Sequence, residues 1–306
     1  MINIDIRDKV RYNKVNNIFR KGDIMNELIQ LSKTVIDLGL KKEYKFFQIS
    51  DAHMACIDED SSEADLAEYK RSHEQWDSLK IHYAERFGEF YDDRFQVEPF
   101  VLFEALTQHA LDFGADALIL SGDIMDRVSE SNIRYMRKFI ENYPIPVIYC
   151  PGNHARTDEY GAKRKMYELF EGIMRNPEFD VYDYDEFEIV VVDNGTKEIT
   201  RNQLDLMQAE IDKNKKILLL IHAPLKLGEF SEEVGKKVNH YFVMGSQYDP
   251  EEAREFVELV RANDTHFIGV LAGHIHASVE YNITENLKQY TTSSALIGYG
   301  REIIIK

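Results

Sequence analysis

Residues 117–127 read Ala117-Leu-Ile-Leu-Ser-Gly122-Asp123-Ile-Met-Asp126-Arg127. The unbroken apolar run predicts a strand buried on both faces, and a polar cluster follows it at once. Gly122 allows a tight turn after the strand and leaves Asp123 free to project. In α/β sheets, sites form in the crevice beyond the carboxyl ends of the strands. A buried strand that ends on a carboxylate therefore predicts both the fold class and the place of the site.

The same arrangement recurs four more times. Lys45–Ser50 runs into Asp51-Ala-His53, Pro146–Cys150 into Gly152-Asn153-His154, Ile217–Ile221 into His222-Ala-Pro224, and Phe267–Ala272 into Gly273-His274-Ile-His276. Helices are predicted at 100–113 (closed by Gly114), 131–143 and 163–174. Two more carry start signals: 200–213, with Thr200 and Gln203 as a capping box, and 249–263, with Asp249 as cap, Pro250 at the first helical position and acids behind it. Further strands are expected near 187–193 and around Val279, Tyr290 and Ile303. This alternation of strand and helix is that of an α/β protein.

One domain is the simplest partition, with 1–42 as an N-terminal appendage and 43–306 as the body. In the appendage, Ile2, Ile4 and Ile6 alternate as an edge strand would. Ile24, Leu28, Leu31 and Val35 then share a helical face that Gly39 would stop. Two insertions interrupt the body. Residues 58–99 carry Leu66, Tyr69, His73, Trp76, Tyr83, Phe87 and Phe90 at helical spacing, either as a lid over the site or as cover for a sheet edge. His73 and His82 read as surface or packing residues. Residues 226–249 are irregular and hold His240 and Tyr241.

Bulk properties exclude several classes. The chain has 306 residues, 44% apolar and 30% charged, as in ordinary globular proteins. It contains no apolar run long enough to span a membrane, and Met1–Arg7 lacks the features of a signal peptide. Cys56 and Cys150 give no disulfide framework, so both read as small buried apolar residues in a cytoplasmic protein. The net charge of −17 divides into +4 over residues 1–50 and −21 over the remainder. An acidic body repels polyanions, so neither long nucleic acid nor an anionic membrane is expected as partner. A small phosphorylated molecule is compatible, because bound metal ions supply positive charge locally. The sequence leaves the oligomeric state open.

The five clusters hold five of the ten histidines, three aspartates and one asparagine, a nitrogen and oxygen ligand set sufficient for two metal ions. Each cluster is weak evidence alone. Asp-x-His arises by accident, a lone His222 reads as a core histidine, and two histidines can line a packed strand end. Residues two apart at an extended strand end would face the same way, so Asp51 and His53 can hold one ion. Asp123 can bridge two ions, one oxygen to each.

Together, DxH, GDxxD, GNH, a single His and GHxH in this order closely resemble the calcineurin-like metallophosphoesterase superfamily, over residues 45–277. The resemblance implies a four-layer αββα sandwich, with two mixed sheets face to face and helices outside. It implies one metal on Asp51, His53, Asp123 and His276, and a second on Asp123, Asn153, His222 and His274, with manganese, iron or zinc suited to the set. It also implies hydrolysis of phosphate esters by a metal-bridging hydroxide, on a monoester or a diester, a cyclic nucleotide among the candidates. His154 would protonate the leaving group, with Asp126 orienting it. Arg127 matches a phosphate-contacting arginine of the superfamily, though a surface ion pair explains it equally well. The family commonly has an acid where this chain has Ala155, which implies looser support for His154. The alternatives are a catalytically silent scaffold of the same fold, or a nuclease.

Overall fold

The computed structural model describes residues 28–87, 97–155, 171, 174–225 and 243–306. The expected edge strand at 2–6, the positions Ile24, Phe90, His240 and Tyr241, the helix expected at 163–174 apart from Glu171 and Met174, and the side chains of His82, Tyr83 and Phe87 lie outside the described residues.

Eleven described strands form two mixed sheets. The first has the order β1-β11-β2-β3-β4, from β1 (Gln30–Ile36), β11 (Tyr299–Ile305), β2 (Tyr44–Ile49), β3 (Ala117–Ser121) and β4 (Val147–Cys150). The second has the order β5-β6-β7-β8-β10-β9, from β5 (Phe179–Asp183), β6 (Phe187–Val192), β7 (Lys216–Leu220), β8 (Phe267–Ala272), β10 (Lys288–Thr291) and β9 (Val279–Asn282). The strands β2, β3 and β4 are parallel neighbours, as are β6, β7 and β8.

The described helices are α1 (Glu63–Phe87), α2 (Pro99–Asp112), α3 (Glu130–Asn142), α4 (Arg201–Asp212) and α5 (Glu251–Ala262). Three apolar clusters divide the layers. Phe46, Ile119 and Ile148 of the first sheet meet Phe187, Leu218 and Leu271 of the second in the central one. The outer face of the first sheet packs on α2 and α3 through Leu118, Leu120, Phe103 and Met136, and that of the second on α4 and α5 through Leu219, Val270, Met207 and Phe256. From Ala117 to Leu120 the side chains of β3 alternate strictly between two of these cores, which is why this run is apolar throughout. The αββα sandwich is therefore as expected.

Two local expectations are corrected and one strand is added. Residues 30–36 form a strand paired in parallel with β11, not a helix, so Leu31 and Val35 lie on its exposed face while Thr34 and Ile36 are buried. The spacing at 24, 28, 31 and 35 is helical, but Leu31 and Val35, four apart, also share one face of a strand, and tertiary pairing decided it. Asp249 does not cap α5; its carboxylate accepts from the amides of Gly245 and Ser246 and closes the preceding turn, leaving Pro250 at the cap position. A further strand, β5, precedes β6 and pairs with it antiparallel. The Thr200–Gln203 capping box is present as read.

A buried polar chain ties the sheets beneath the loops that follow the strands. Gln48 of β2 donates to Ser121 Oγ (2.8 Å) and to the Ala272 carbonyl (3.1 Å), and accepts from Thr292 (2.8 Å). Arg301, 1% exposed, donates to Thr292 (3.1 Å) and Glu280 (2.8 Å). No described helix is long and apolar enough to cross a membrane. Cys56 and Cys150 are free, half-buried and buried respectively.

Candidate metal centre

The loops after β2, β3 and β4 leave one sheet side by side, and those after β7 and β8 leave the other. The loops after β2 and β3 continue the ladder past their strands, with the amides of Asp51, His53 and Met54 donating to the carbonyls of Gly122, Asp123 and Ile124. Across the second sheet, the Gly273 amide donates to the His222 carbonyl. With the His154 amide on Asp123, the His274 amide on Asp51 and the His222 ring on the Ser121 carbonyl, these bonds bring all five motifs to one seam between the sheets.

Two groups of candidate ligands result. Asp51, His53 and His276 have ligand atoms within 4.8 Å of one another, and so have Asp123, His222 and His274. The two histidines of Gly273-His-Ile-His276 thus separate into different groups. A third grouping brings His154 within the same reach of His53 and Asp123. Asn153 joins the second group through Oδ1, 3.1 Å from His222 Nε2.

The backbone here is strained. Seven described non-glycine residues have positive φ, and five are candidate ligands: Asp51 (54°), His53 (47°), Asp123 (51°), His274 (68°) and His276 (52°). Each left-handed residue costs on the order of 1–3 kcal/mol, a pattern typical of functional sites. This corrects the extended geometry expected for Asp51 and His53: left-handed turns, not strand alternation, aim both inward. The surrounding structure holds them there. Ser294 Oγ donates to the Asp51 carbonyl (2.5 Å), Trp76 Nε1 to that of His53 (3.1 Å) and Ser293 Oγ to that of His276 (2.9 Å).

The carboxylates are oriented one oxygen at a time. Asp51 Oδ2 accepts from Ser50 Oγ (2.5 Å) and the His274 amide (2.9 Å). Its Oδ1 is buried with no hydrogen bond, 3.2 Å from His276 Nε2 and 4.0 Å from His53 Nε2. Asp123 Oδ1 accepts from the His154 amide (2.8 Å), and Oδ2 lies 3.2 Å from His222 Nε2. His222 Nδ1 donates to the Ser121 carbonyl (2.8 Å), so Nε2 faces two oxygen acceptors, on Asp123 and Asn153. An imidazole lone pair aimed at two acceptors needs a proton or a cation among them. The orphaned Asp51 oxygen and this crowded His222 nitrogen both fit metal ions held by a nitrogen and oxygen set.

The charges agree. Burial would lower the His222 pKa, but the Asp123 carboxylate outweighs it and pushes the imidazole up to about 9. Burial and then the His222 charge push His274 down to about 3. Burial opposes ionisation of Asp51 and Asp123, yet His276 and His222 respectively hold both carboxyls below the usual carboxylate range.

His154 lies beside the two groups. Its Nδ1 is 2.6 Å from the Asp126 carbonyl and 3.4 Å from Asp126 Oδ1, which is itself 3.3 Å from His53 Nδ1. Burial alone would lower the His154 pKa; the Asp123 charge and then the Asp126 hydrogen bond overcome it and raise the imidazole to about 9. Ala155, where an acid is common, is buried in the same apolar cluster as Met54 and Ile124, and His154 is fixed by Asp123 and Asp126 instead. Arg127 Nε sits 3.4 Å from Glu68 Oε2 of α1.

The sequence did not point to Asn194, Ser293, Ser294 or Ser72, and gave Trp76 only as one of the helically spaced residues of 58–99. Asn194 Oδ1 accepts from the amides of His222 and Ala223 and fixes that turn. The run Thr291-Thr-Ser-Ser294 after β10 was a readable signal, a hydroxyl cluster at a strand's carboxyl end. Ser72 and Trp76 lie in a helix without motif. That helix, read as lid or sheet-edge cover, is bonded to the loops that bear His53 and Asp126.

The model of the calcineurin-like phosphoesterase family matches residues 44–278. A protein of Fibrobacter succinogenes described as a probable cyclic nucleotide phosphodiesterase is 24% identical over 182 residues. That match takes in 59% of this chain and 65% of the relative, so the chain spans somewhat less than two-thirds of the relative's length. Among solved structures, a dimetal phosphatase from Danio rerio is similar at a TM-score of 0.46 and 10% identity, over 83% of this chain and 88% of that one. A 5'-nucleotidase from Candida albicans is similar at 0.40 and 10%, over 87% and 48%.

Proposed function

This chain belongs to the calcineurin-like phosphoesterase family, metal-dependent hydrolases of phosphate esters, and from that premise we propose that it hydrolyses a small soluble phosphodiester, with cyclic nucleotides the leading substrate class. The observation that carries the reading is the meeting of Asp51, His53 and His276 with Asp123, His222 and His274 at one seam. The name of the Fibrobacter relative supports the diester. The excess acid of residues 51–306 favours a small substrate over long nucleic acid.

In this reading Asp51, His53, Asp123 and His276 hold one ion, and Asp123, Asn153, His222 and His274 the other; manganese, iron and zinc all suit the set. When bound, the ions supply Lewis acidity that polarises the phosphoryl group and acidifies water. The side chains do the rest. Asp123 holds the two groups at a fixed separation because the His154 amide and the His222 ring restrain its two oxygens. His154 donates a proton to the departing oxygen from Nε2, because its Nδ1 hydrogen is committed to Asp126. Arg127 receives a phosphate oxygen by exchanging its Glu68 partner for the substrate.

Purified protein with manganese, assayed on bis-p-nitrophenyl phosphate, p-nitrophenyl phosphate and cyclic AMP, tests the reading. Higher kcat/KM on the diesters is the expected result. Monoester preference would replace the diester proposal, and inactivity on all three with metal bound would revive the scaffold reading.

A further inference from the structure

We propose that Ser72 is a positioning residue that sets the site through Asp126, which makes helix α1 part of the catalytic apparatus. The inference rests on the reading of His154 as proton donor. Asp126 is 1% exposed, and its single oxygen Oδ1 faces two imidazoles, with His53 Nδ1 at 3.3 Å and His154 Nδ1 at 3.4 Å. This carboxylate therefore stands against both rings at once, beside the Asp126 carbonyl that takes the His154 Nδ1 hydrogen at 2.6 Å. A terminal carboxylate torsion has no stiff preference of its own, so a partner must fix it. Ser72 Oγ donates to the opposite oxygen, Oδ2, at 2.5 Å, and Ser72 is itself 1% exposed. Arg127 Nε stands 3.9 Å from the same Oδ2, beyond hydrogen-bond range.

The helix that carries Ser72 is anchored independently of this bond. Trp76 packs with Ala55 and Leu296 and donates to the His53 carbonyl (3.1 Å), and Asp65 accepts from the Ser131 amide (3.3 Å). Loss of the Ser72 hydroxyl therefore releases the Asp126 carboxylate while leaving the helix in place. A hydroxyl that only satisfied a buried acceptor would change stability and nothing else.

The experiment compares wild type, Ser72→Ala, Ser72→Thr and, as a control on the same helix, the exposed Ser78→Ala. Each is assayed at saturating manganese on phenyl phosphate, whose leaving group needs a proton, and on p-nitrophenyl phosphate, whose more acidic phenol does not. Manganese affinity is measured in parallel by calorimetry. For Ser72→Ala, kcat on phenyl phosphate falls by about 10–100-fold with KM little changed, and manganese affinity weakens through His53. The fall on p-nitrophenyl phosphate is much smaller, Ser72→Thr restores turnover by keeping the hydroxyl, and Ser78→Ala matches wild type. Equal falls on the two esters, or unchanged turnover of phenyl phosphate, overturn the proposal. A wild type inactive on both monoesters and on bis-p-nitrophenyl phosphate would sink the phosphoesterase reading instead; unchanged manganese affinity in Ser72→Ala would then overturn the positioning role.

Discussion

His154 Nδ1 lies 2.6 Å from the carbonyl oxygen of Asp126, a contact that commits the Nδ1 hydrogen and leaves the other ring nitrogen for substrate. Replacement of His154 by alanine is therefore expected to lower turnover by about two to four decades. The two candidate metal groups Asp51/His53/His276 and Asp123/His222/His274 remain intact, so elemental analysis should still find metal in the His154→Ala protein. A metal-replete variant with unchanged turnover would remove His154 from the reaction.

Metal binding at His222 should compete with a proton. The imidazole is held up to about 9, against an ordinary value of about 6.5, so it binds a proton across the neutral range. Any ion on Nε2 must displace that proton. Apparent manganese affinity should rise by up to about tenfold per pH unit from pH 7 and level off near pH 9. Calorimetry in buffers of different ionisation heat should find proton release at pH 7.5; none would contradict the raised value.

Manganese should also stabilise the fold, because an ion that binds the folded site gives the orphaned Asp51 oxygen a partner that the unfolded chain does not need. At a hundred times the dissociation constant the gain is about 2.7 kcal/mol. Thermal unfolding with manganese and with chelator would show it, and identical midpoints would rule it out.

Gly122 combines φ of +96° with close approach: a β-carbon there would fall 2.1 Å from His222 Nδ1. Gly122→Ala is expected to cost more than about 1 kcal/mol and to displace His222. Loss of metal and of turnover together, in a protein that still folds by circular dichroism, is the expected result.

A separate carboxylate pair controls stability at higher pH. Glu188 is 3% exposed and its Oε1 has no hydrogen bond, and burial followed by the neighbouring Glu210 pushes its pKa up to about 7. The unfolded value is lower, so the folded chain holds the proton longer, and stability falls as pH rises from about 4.5 to 7. Glu188→Gln should raise the unfolding temperature at pH 8 by roughly 2–4 °C and change it little at pH 4.5. The reverse pH pattern would refute the assignment.

The strands that bear the motifs were legible because burial on both faces leaves an unmistakable apolar run, as in Ala117–Ser121 and Ile217–Ile221. Residues 30–36 were misread because their partner, β11, lies at the far end of the chain, and local spacing contains no information about it. Asp249 was misplaced for a related reason, since a carboxylate before a proline can cap a helix or a turn, and the amides of Gly245 and Ser246 decided.

The candidate ligands Asp51, His53, Asp123, Asn153, His222, His274 and His276 could be picked out without the structure, because each follows a strand and the parallel strands of a sheet deliver their carboxyl ends together; that the two sheets bring theirs to one seam was decided by the fold. The supports of the site could not be read this way. Ser72 to Asp126, Ser293 to His276 and Ser294 to Asp51 are bonds between residues 17 to 243 positions apart, made by hydroxyls common to any sequence. The left-handed backbone of five candidate ligands is equally silent in sequence, because aspartate and histidine adopt that conformation only where surrounding contacts force it. Motif chemistry depends on residue type and local order, whereas orientation depends on contacts that exist only once the chain has folded.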